Sequence, residues 1–311
     1  MDKIIFFHMN QLGDLLFSLP VLKATKQKFP NIKIYCVVRK NLEGLLQSTK
    51  LADKIFLKGG NLSSEIDLIS DIKKENIDTA LMFSESPETL ILAYFSRIKN
   101  RIGFKTASLK FLLTKTVEKI GVPSLNNNIV LAKSIGIDNV QKDYLNILKT
   151  DRESEVKVSF WLDANNILNK DFIVVSMGAS KRRQEKCLRN EVWIETLNKL
   201  VEMNKKVVVV CAKWEMESVM KVLKYVSKDV KIFCPENGLV ELAALISRAK
   251  LFIGIDSGTM HLAASLGIKC VALYGNTDPS QIGPRPLHNH IIIKKNSAKD
   301  IIANDILENI K

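Results

Sequence analysis

Gly254-Ile-Asp-Ser-Gly-Thr-Met-His-Leu-Ala-Ala-Ser-Leu-Gly267 runs on, two residues later, into Cys270-Val-Ala-Leu-Tyr-Gly-Asn-Thr-Asp-Pro279. The apolar residues Leu251–Ile255 predict a short strand that enters a turn holding Asp256, Ser257 and Gly258. Thr259–Leu266 has helical apolar spacing, and Gly267 stands where that helix should end. Val271–Tyr274 is a second strand, closed by the turn formers Gly275 to Pro279. Strand, acidic glycine turn, helix and strand make a βαβ unit of an α/β fold, and ligands of such sheets collect at the carboxyl ends of the strands. The first-turn amides of a helix opening at Ser257–Thr259 can hold a phosphate or a sugar oxygen. Asp256 can equally serve only to cap that helix. Spacing alone leaves both readings open.

The same alternation extends outward. Upstream lie strands at Phe172–Ser176, Lys206–Cys211 and Val230–Cys234, separated by helices at Glu191–Asn204, Glu217–Val226 and Leu239–Ala249, with Glu241 on the polar side of the last. Downstream, the strand Ile291–Lys294 precedes an amphipathic terminal helix over Ala298–Ile310. The first half repeats the pattern. Strands are expected at Lys3–His8, Lys33–Val38, Lys54–Leu57, Thr79–Phe83 and Arg101–Phe104, and helices at Asp14–Phe29, Leu42–Gln47, Ser64–Glu75, Glu88–Arg97 and Val130–Ile135. Pro20 should kink the first helix or begin a fresh turn. From Gln141 to Lys157 the pattern weakens and charge rises, which reads as a linker between domains at 1–155 and 156–311. Helical crossovers between apolar strands imply two buried parallel sheets in tandem.

The 311 residues suffice for two ordinary domains, and 46% hydrophobic with 25% charged residues is the composition of a soluble globular protein. No apolar run approaches a membrane span, and Ile4–Phe7 is too short for a secretory core. The five cysteines, Cys36, Cys187, Cys211, Cys234 and Cys270, are scattered without metal-ligand spacing, so buried free thiols in a reducing cytoplasm are expected and zinc is not. The net charge of +13 suits a polyanionic partner, although part of it reflects a chain generally rich in Lys, Ile and Asn. Aromatic content of 7%, mostly within strands and helices, gives little support to a nucleic-acid binder.

Several side chains sit where chemistry could occur. Asp14 stands at the mouth of the first strand–helix loop, beside Gly13, where it can cap the helix or act as a general base. That loop has no GxGxxG, and Arg39-Lys40 occupies the place of the acidic residue expected after the second strand, so it is not a dinucleotide fingerprint. Lys181-Arg-Arg-Gln-Glu-Lys-Cys-Leu-Arg189 brings cations to a helix amino end, which suits a diphosphate or, equally, a solvated loop. His261 is a ligand-binding group or a core residue. Glu215, just past a strand end, lies where a carboxylate could accept hydrogen bonds from a ribose diol.

Taken together, Asp256-Ser-Gly-Thr-Met-His-Leu-Ala-Ala264 and Leu273-Tyr-Gly-Asn-Thr-Asp-Pro279 resemble the signature of glycosyltransferase family nine, the heptosyltransferases of lipopolysaccharide core assembly. Gln11-Leu-Gly-Asp-Leu-Leu-Phe-Ser-Leu-Pro20 is similar to that family's opening loop and first helix, and Leu239-Val-Glu-Leu-Ala-Ala-Leu-Ile246 to a later helix. The resemblance implies a GT-B fold: two Rossmann-like parallel-sheet domains facing a cleft, the terminal helix (about 298–311) packing back on the amino-terminal domain. It implies inverting, metal-independent transfer of heptose from ADP-heptose to the Kdo or heptose of the inner core, without a cofactor; the alternatives are a different nucleotide sugar or acceptor within the same family, or a non-catalytic glycolipid- or nucleotide-sugar-binding protein. By position, Asp14 would be the general base and Lys186 would neutralise the leaving diphosphate. Asp256 would hold donor-sugar hydroxyls, Ser257, Gly258 and Thr259 the phosphates, and Glu215 the ribose, with Ser180, Lys181 and His261 as further donor contacts. Gln11, Arg39, Lys40, Arg101 and Lys105 are the candidates for the acidic phosphorylated glycolipid acceptor. A monomer on the anionic cytoplasmic face of the inner membrane follows from the same resemblance. The family's usual Lys-Arg-Trp reads Glu185-Lys186-Cys187-Leu188 here, which leaves Lys186 and Lys181 competing for the diphosphate. His8 replaces a frequent Lys or Arg before the first Gly-Asp.

Overall fold

In the computed structural model, which describes residues 1–8, 11–121, 123–178 and 183–310, the chain divides into two units, Met1–Leu148 and Lys149–Lys311. The first contains strands β1 (Lys3–His8), β2 (Lys33–Arg39), β3 (Lys54–Lys58), β4 (Thr79–Met82), β5 (Asn100–Phe104) and β6 (Lys115–Val117). Its helices are α1 (Leu12–Lys28), α2 (Glu43–Ser48), α3 (Leu62–Lys74), α4 (Pro87–Phe95) and α5 (Ser124–Lys133). The second contains β7 (Phe172–Ser176), β8 (Lys206–Val210), β9 (Lys231–Phe233), β10 (Leu251–Ile255), β11 (Cys270–Tyr274) and β12 (Ile291–Lys294). Its helices are α6 (Arg152–Ala164), α7 (Asn190–Glu202), α8 (Met216–Leu223), α9 (Leu239–Ser247), α10 (Gly258–Ser265), α11 (Pro279–Ile282) and α12 (Ala303–Leu307).

Both sheets are wholly parallel. The first runs β3-β2-β1-β4-β5-β6 and the second β12-β11-β10-β7-β8-β9, so each unit has the same doubly wound order when its strands are counted from its own start. The continuous apolar runs are the consequence of burial on both faces. Ile4 to Phe7 in β1 and Val174 to Val175 in β7 are fully enclosed. Alternate residues of the second sheet (Ile173, Val175, Val207, Val209, Ile253, Ile255, Val271 and Leu273) share one core with Trp193, Leu197 and Leu200 of α7. The corresponding core of the first unit joins Ile5, Phe7, Val37, Ala80 and Met82 to Leu68 and Ile72 of α3 and Leu92 and Ala93 of α4.

Local chemistry explains the elements that match expectation. After α10, Gly267 takes a φ of +76°, its N–H donates to Ala264 O, and the Ile268 N–H donates to Ala263 O. This is a Schellman stop, which glycine permits at no steric cost. Other elements differ. Residues 149–155 belong to the second unit, because Asp151 caps α6 by accepting from Ser154 N and α6 packs against α9. The terminal helix is broken: a 3-10 turn at Ala298–Asp300 is followed by extended Ile301 and Ile302, and only then by α12. α12 packs on α7 of its own unit, with Ala303, Ile306 and Ile310 in that core, where the expectation had it on the amino-terminal domain. Pro20 lies inside one uninterrupted α1. Glu241 is buried rather than outward, accepting from Asn237 N at 2.8 Å.

Candidate active site

The doubly wound order fixes where each unit can bind. Strand order reverses between β1 and β4 in the first sheet and between β7 and β10 in the second, and the loops leaving those strands diverge to open a crevice at their carboxyl ends. Asp14 follows β1. Gly178 follows β7, and Asp256 follows β10.

In the second unit the Asp256 carboxylate is only 5% exposed, and two donors converge on its Oδ2: Lys186 Nζ at 2.5 Å and Thr277 Oγ1 at 2.8 Å. Lys186 comes from the 3-10 turn Gln184–Lys186 after β7, and Thr277 from the turn after β11, so three loops are tied at one carboxylate. Such a buried pair is retained only when charge and hydrogen bonds are matched. Ser257 is the N-cap of α10, yet its side chain makes no cap bond and its buried Oγ has no partner among the described residues. A buried hydroxyl at a helix amino end, beside unsatisfied first-turn amides, is a cradle for an anion. His261, one turn into α10, is buried. Desolvation drives its pKa down to about 4; Asp256 opposes this, while Lys186, Arg285 and His290 reinforce it. It is therefore a neutral imidazole at physiological pH.

Beside this cradle lies a cavity of about 210 Å³ whose walls include Gly178, Gln184, Cys187, Trp214, Glu215 and Ser218. Glu215 ends the 3-10 turn Lys213–Glu215 and accepts from Ala212 N at 2.8 Å through Oε2. Burial raises its pKa, and the Ala212 N–H counters that. A Cβ at residue 178 would lie 2.0 Å from Glu215 Oε1, so glycine there is what lets the carboxylate stand against the β7 loop.

In the first unit the Gln11 N–H donates to Asp14 Oδ2 at 3.1 Å, so the cap is formed. The residue remains exposed at the helix mouth. Surrounding protein raises the carboxyl pKa by desolvation, and the Gln11 amide pulls the other way. The cap thus holds a carboxylate of increased basicity in a fixed place. Arg39 ends β2, and Lys40 follows it in an ion pair with Glu43 at 2.7 Å. Lys105, just beyond β5, pairs with Glu118 at 2.6 Å. Arg101 is not brought to this edge. It stands near the start of β5, its Nε donating to Leu112 O at 2.6 Å and its guanidinium 5.3 Å from the Tyr94 ring. His8 is buried, with Nδ1 2.7 Å from Ser18 Oγ and its ring 5.1 Å from that of Phe83, and desolvation lowers its pKa to about 3. It supplies no cation.

The structure therefore groups Lys186, Asp256, Ser257, Gly258, Thr259 and His261 at one edge with Glu215 alongside, and Gln11, Asp14, Arg39, Lys40 and Lys105 at the other sheet's edge. Ser180 and Lys181 lie outside the described residues. The sequence reading missed Thr277 and Gly178 as site residues. Thr277 lies in the signature turn, and Gly178 stands two residues past the end of a strand, a position where close backbone approach calls for glycine. Trp214 and the buried Arg285 gave no separate signal. A larger cavity, about 350 Å³, lies at the opposite end of the second sheet among Lys205, Lys206, Lys250 and Lys269. Lys205, Lys250 and Lys269 follow the carboxyl ends of α7, α9 and α10, where helix dipoles favour cations rather than an anionic ligand. Cys36, Cys211 and Cys270 are buried free thiols, whereas Cys187 and Cys234 are partly exposed. Among the described residues no three His, Cys, Asp or Glu side chains group as metal ligands would, and no helix is long and apolar enough to cross a membrane.

The sequence model of glycosyltransferase family 9 (heptosyltransferase) matches residues 66–310. Lipopolysaccharide heptosyltransferase 1 of Campylobacter coli is 24% identical over 298 residues, covering 88% of this chain and 84% of that protein. The structure of E. coli ADP-heptose lps heptosyltransferase II superimposes with a TM-score of 0.83 at 19% identity, covering 99% of this chain and 97% of that one. E. coli heptosyltransferase WaaC with ADP gives 0.80 at 18% identity, covering 99% and 98%. The arrangement of two doubly wound parallel sheets is that of the GT-B heptosyltransferase structures.

Proposed function

The chain belongs to glycosyltransferase family 9, the heptosyltransferases, and from that premise we propose that it moves heptose from ADP-heptose to the Kdo or heptose of a lipopolysaccharide inner core, inverting the anomeric centre without a metal. The observation that carries the reading is the anion cradle at the α10 amino end, where the Ser257 hydroxyl, unpartnered among the described residues, adjoins the buried Lys186–Asp256–Thr277 cluster.

Asp14 takes the proton from an acceptor hydroxyl as that oxygen attacks the anomeric carbon. The bond from that carbon to the diphosphate oxygen breaks on the opposite face, and ADP leaves with the electron pair. Lys186 and the amides of Gly258 and Thr259 meet the charge that develops on the diphosphate, as a site without a metal must. Both donors to Asp256 use Oδ2, which leaves Oδ1, among the described residues, to accept from a donor-sugar hydroxyl. Glu215 takes the ribose diol in the neighbouring cavity, and Trp214 offers a flat face to the base. Ser180, Lys181 and His261 complete the donor contacts. Gln11, Arg39, Lys40 and Lys105 attract the acidic acceptor, an assignment supported by their place on the Asp14 edge. The enzyme works as a monomer, peripheral on the cytoplasmic face of the inner membrane.

The test is turnover with ADP-heptose and a truncated lipopolysaccharide in EDTA. ADP release coupled to heptosylated product is expected, and wild-type chain with no transfer, or with transfer abolished by EDTA, would overturn the reading.

A further inference from the structure

We propose that the outer face of α4, with the 3-10 turn Lys110–Leu112 beside it, is the surface by which the first unit docks on the headgroup region of an anionic bilayer. The inference rests on the reading of a lipid-borne acceptor. α4 is apolar on both sides. Leu90, Leu92 and Ala93 face the core, while Ile91, Tyr94 and Phe95, at i, i+3 and i+4, face outward with Tyr94 46% and Phe95 55% exposed. A helix that is apolar all round belongs in an interior, so its bare side marks a contact made elsewhere. The neighbouring turn, which packs against α4, adds Phe111 at 76% exposure. The Tyr94 and Phe95 rings meet edge to face at 5.4 Å, so they present one surface.

The rim has one sign. Arg97, Lys99 and Lys110 are exposed and make no ion pair with a carboxylate among the described residues. The nearby acids are already engaged: Glu88 by Lys58, Glu85 by Lys119 and Glu118 by Lys105. Apolar and aromatic side chains that enter the headgroup boundary, ringed by cations that meet lipid phosphates, are the composition of an interfacial anchor. Tyr94 suits that depth, with an apolar ring and a polar end. A second copy of the chain fits poorly. A two-fold contact through this patch would bring together two cationic rims, each of Arg97, Lys99 and Lys110, with no unpaired acid between them among the described residues.

The experiment is co-sedimentation of the full chain with vesicles of phosphatidylethanolamine and phosphatidylglycerol, and with phosphatidylcholine vesicles, alongside calorimetric titration of ADP-heptose on the same samples. Wild type should partition onto the anionic vesicles at least about tenfold more strongly than onto the neutral ones. Tyr94→Ser/Phe95→Ser/Phe111→Ser and, separately, Lys99→Glu/Lys110→Glu should each lose that preference with donor affinity unchanged. The charge pair keeps the test alive if the apolar triple does not fold. Wild type that stays in the supernatant, or variants that sediment like wild type, would overturn the proposal. So would a dimer in sedimentation equilibrium that the apolar variant dissolves. Because donor affinity is read independently, a failed docking surface is distinguishable from a failed heptosyltransferase reading.

Discussion

At Asp14 the cap and the base readings are not alternatives. The Gln11 amide fixes the carboxylate, and surrounding protein raises its pKa. Asp14→Asn keeps the cap's acceptor oxygen and removes the proposed base, so it should lower kcat by roughly 10² to 10⁴ with donor affinity retained, as steady-state kinetics and calorimetry would show. Because the carboxyl pKa is raised, the base is protonated at a higher pH than an ordinary carboxylate. The acid limb of the rate profile should therefore lie at higher pH than an ordinary aspartate would give. Lys186→Ala would strand the buried Asp256 carboxylate. It should cost about 3 kcal/mol in chemical denaturation and weaken ADP binding at least tenfold. Gly178→Ala should push the Glu215 carboxylate off the β7 loop and weaken ADP binding severalfold while changing the melting temperature little, since the displaced atom ends a flexible side chain. Asp14, Lys186, Glu215 and Asp256 were legible as candidates through strand ends and the family signature, with Lys181, outside the described residues, as the competitor of Lys186. The role of Thr277 was hidden, because a hydroxyl in a turn declares no partner until the turn is folded.

At the scale of elements, legibility followed burial. Strands enclosed on both faces, such as β7 and β10, have uninterrupted apolar runs and were read to the residue, and the α10 stop was visible in Gly267. β6 was not, because Lys115 and Thr116 are exposed and only Val117 faces the core. α6 was hidden by charge: its buried residues Ser154, Val158 and Leu162 form a single narrow stripe among Arg152, Glu153, Glu155 and Lys157. The last segment has helical spacing, but extended Ile301 and Ile302 interrupt it. The turn after β11 depends on close backbone approach rather than on pattern. A Cβ at Gly275 would lie 2.3 Å from the Ala298 backbone nitrogen, so Gly275→Ala must move backbone. It should destabilise the second unit by about 1 to 3 kcal/mol in urea denaturation, and the same change at Gly60, which meets nothing within 4 Å, should not.

Across the whole molecule, the same strand order built twice puts each candidate site at a switch point, which is why residues far apart in sequence group at two sheet edges. Burial of His8 and His261 sets an acid limit to stability. Their folded pKa values, about 3 and about 4, lie below the unfolded value near 6.5, so between about pH 6.5 and 4 the unfolded chain binds more protons and stability falls as pH falls. Each imidazole contributes a slope of about 1.4 kcal/mol per pH unit in that window. Urea denaturation from pH 7 to 5 should show it, and His8→Gln should reduce it by one such increment. The central claim, that the β7–β10 edge is an ADP-sugar site, is tested most directly by calorimetric titration of ADP, UDP and GDP into the wild-type chain without metal. Selective binding of ADP, lost in Lys186→Ala, is the predicted result. Equal binding of the three nucleotides, or none, would contradict it.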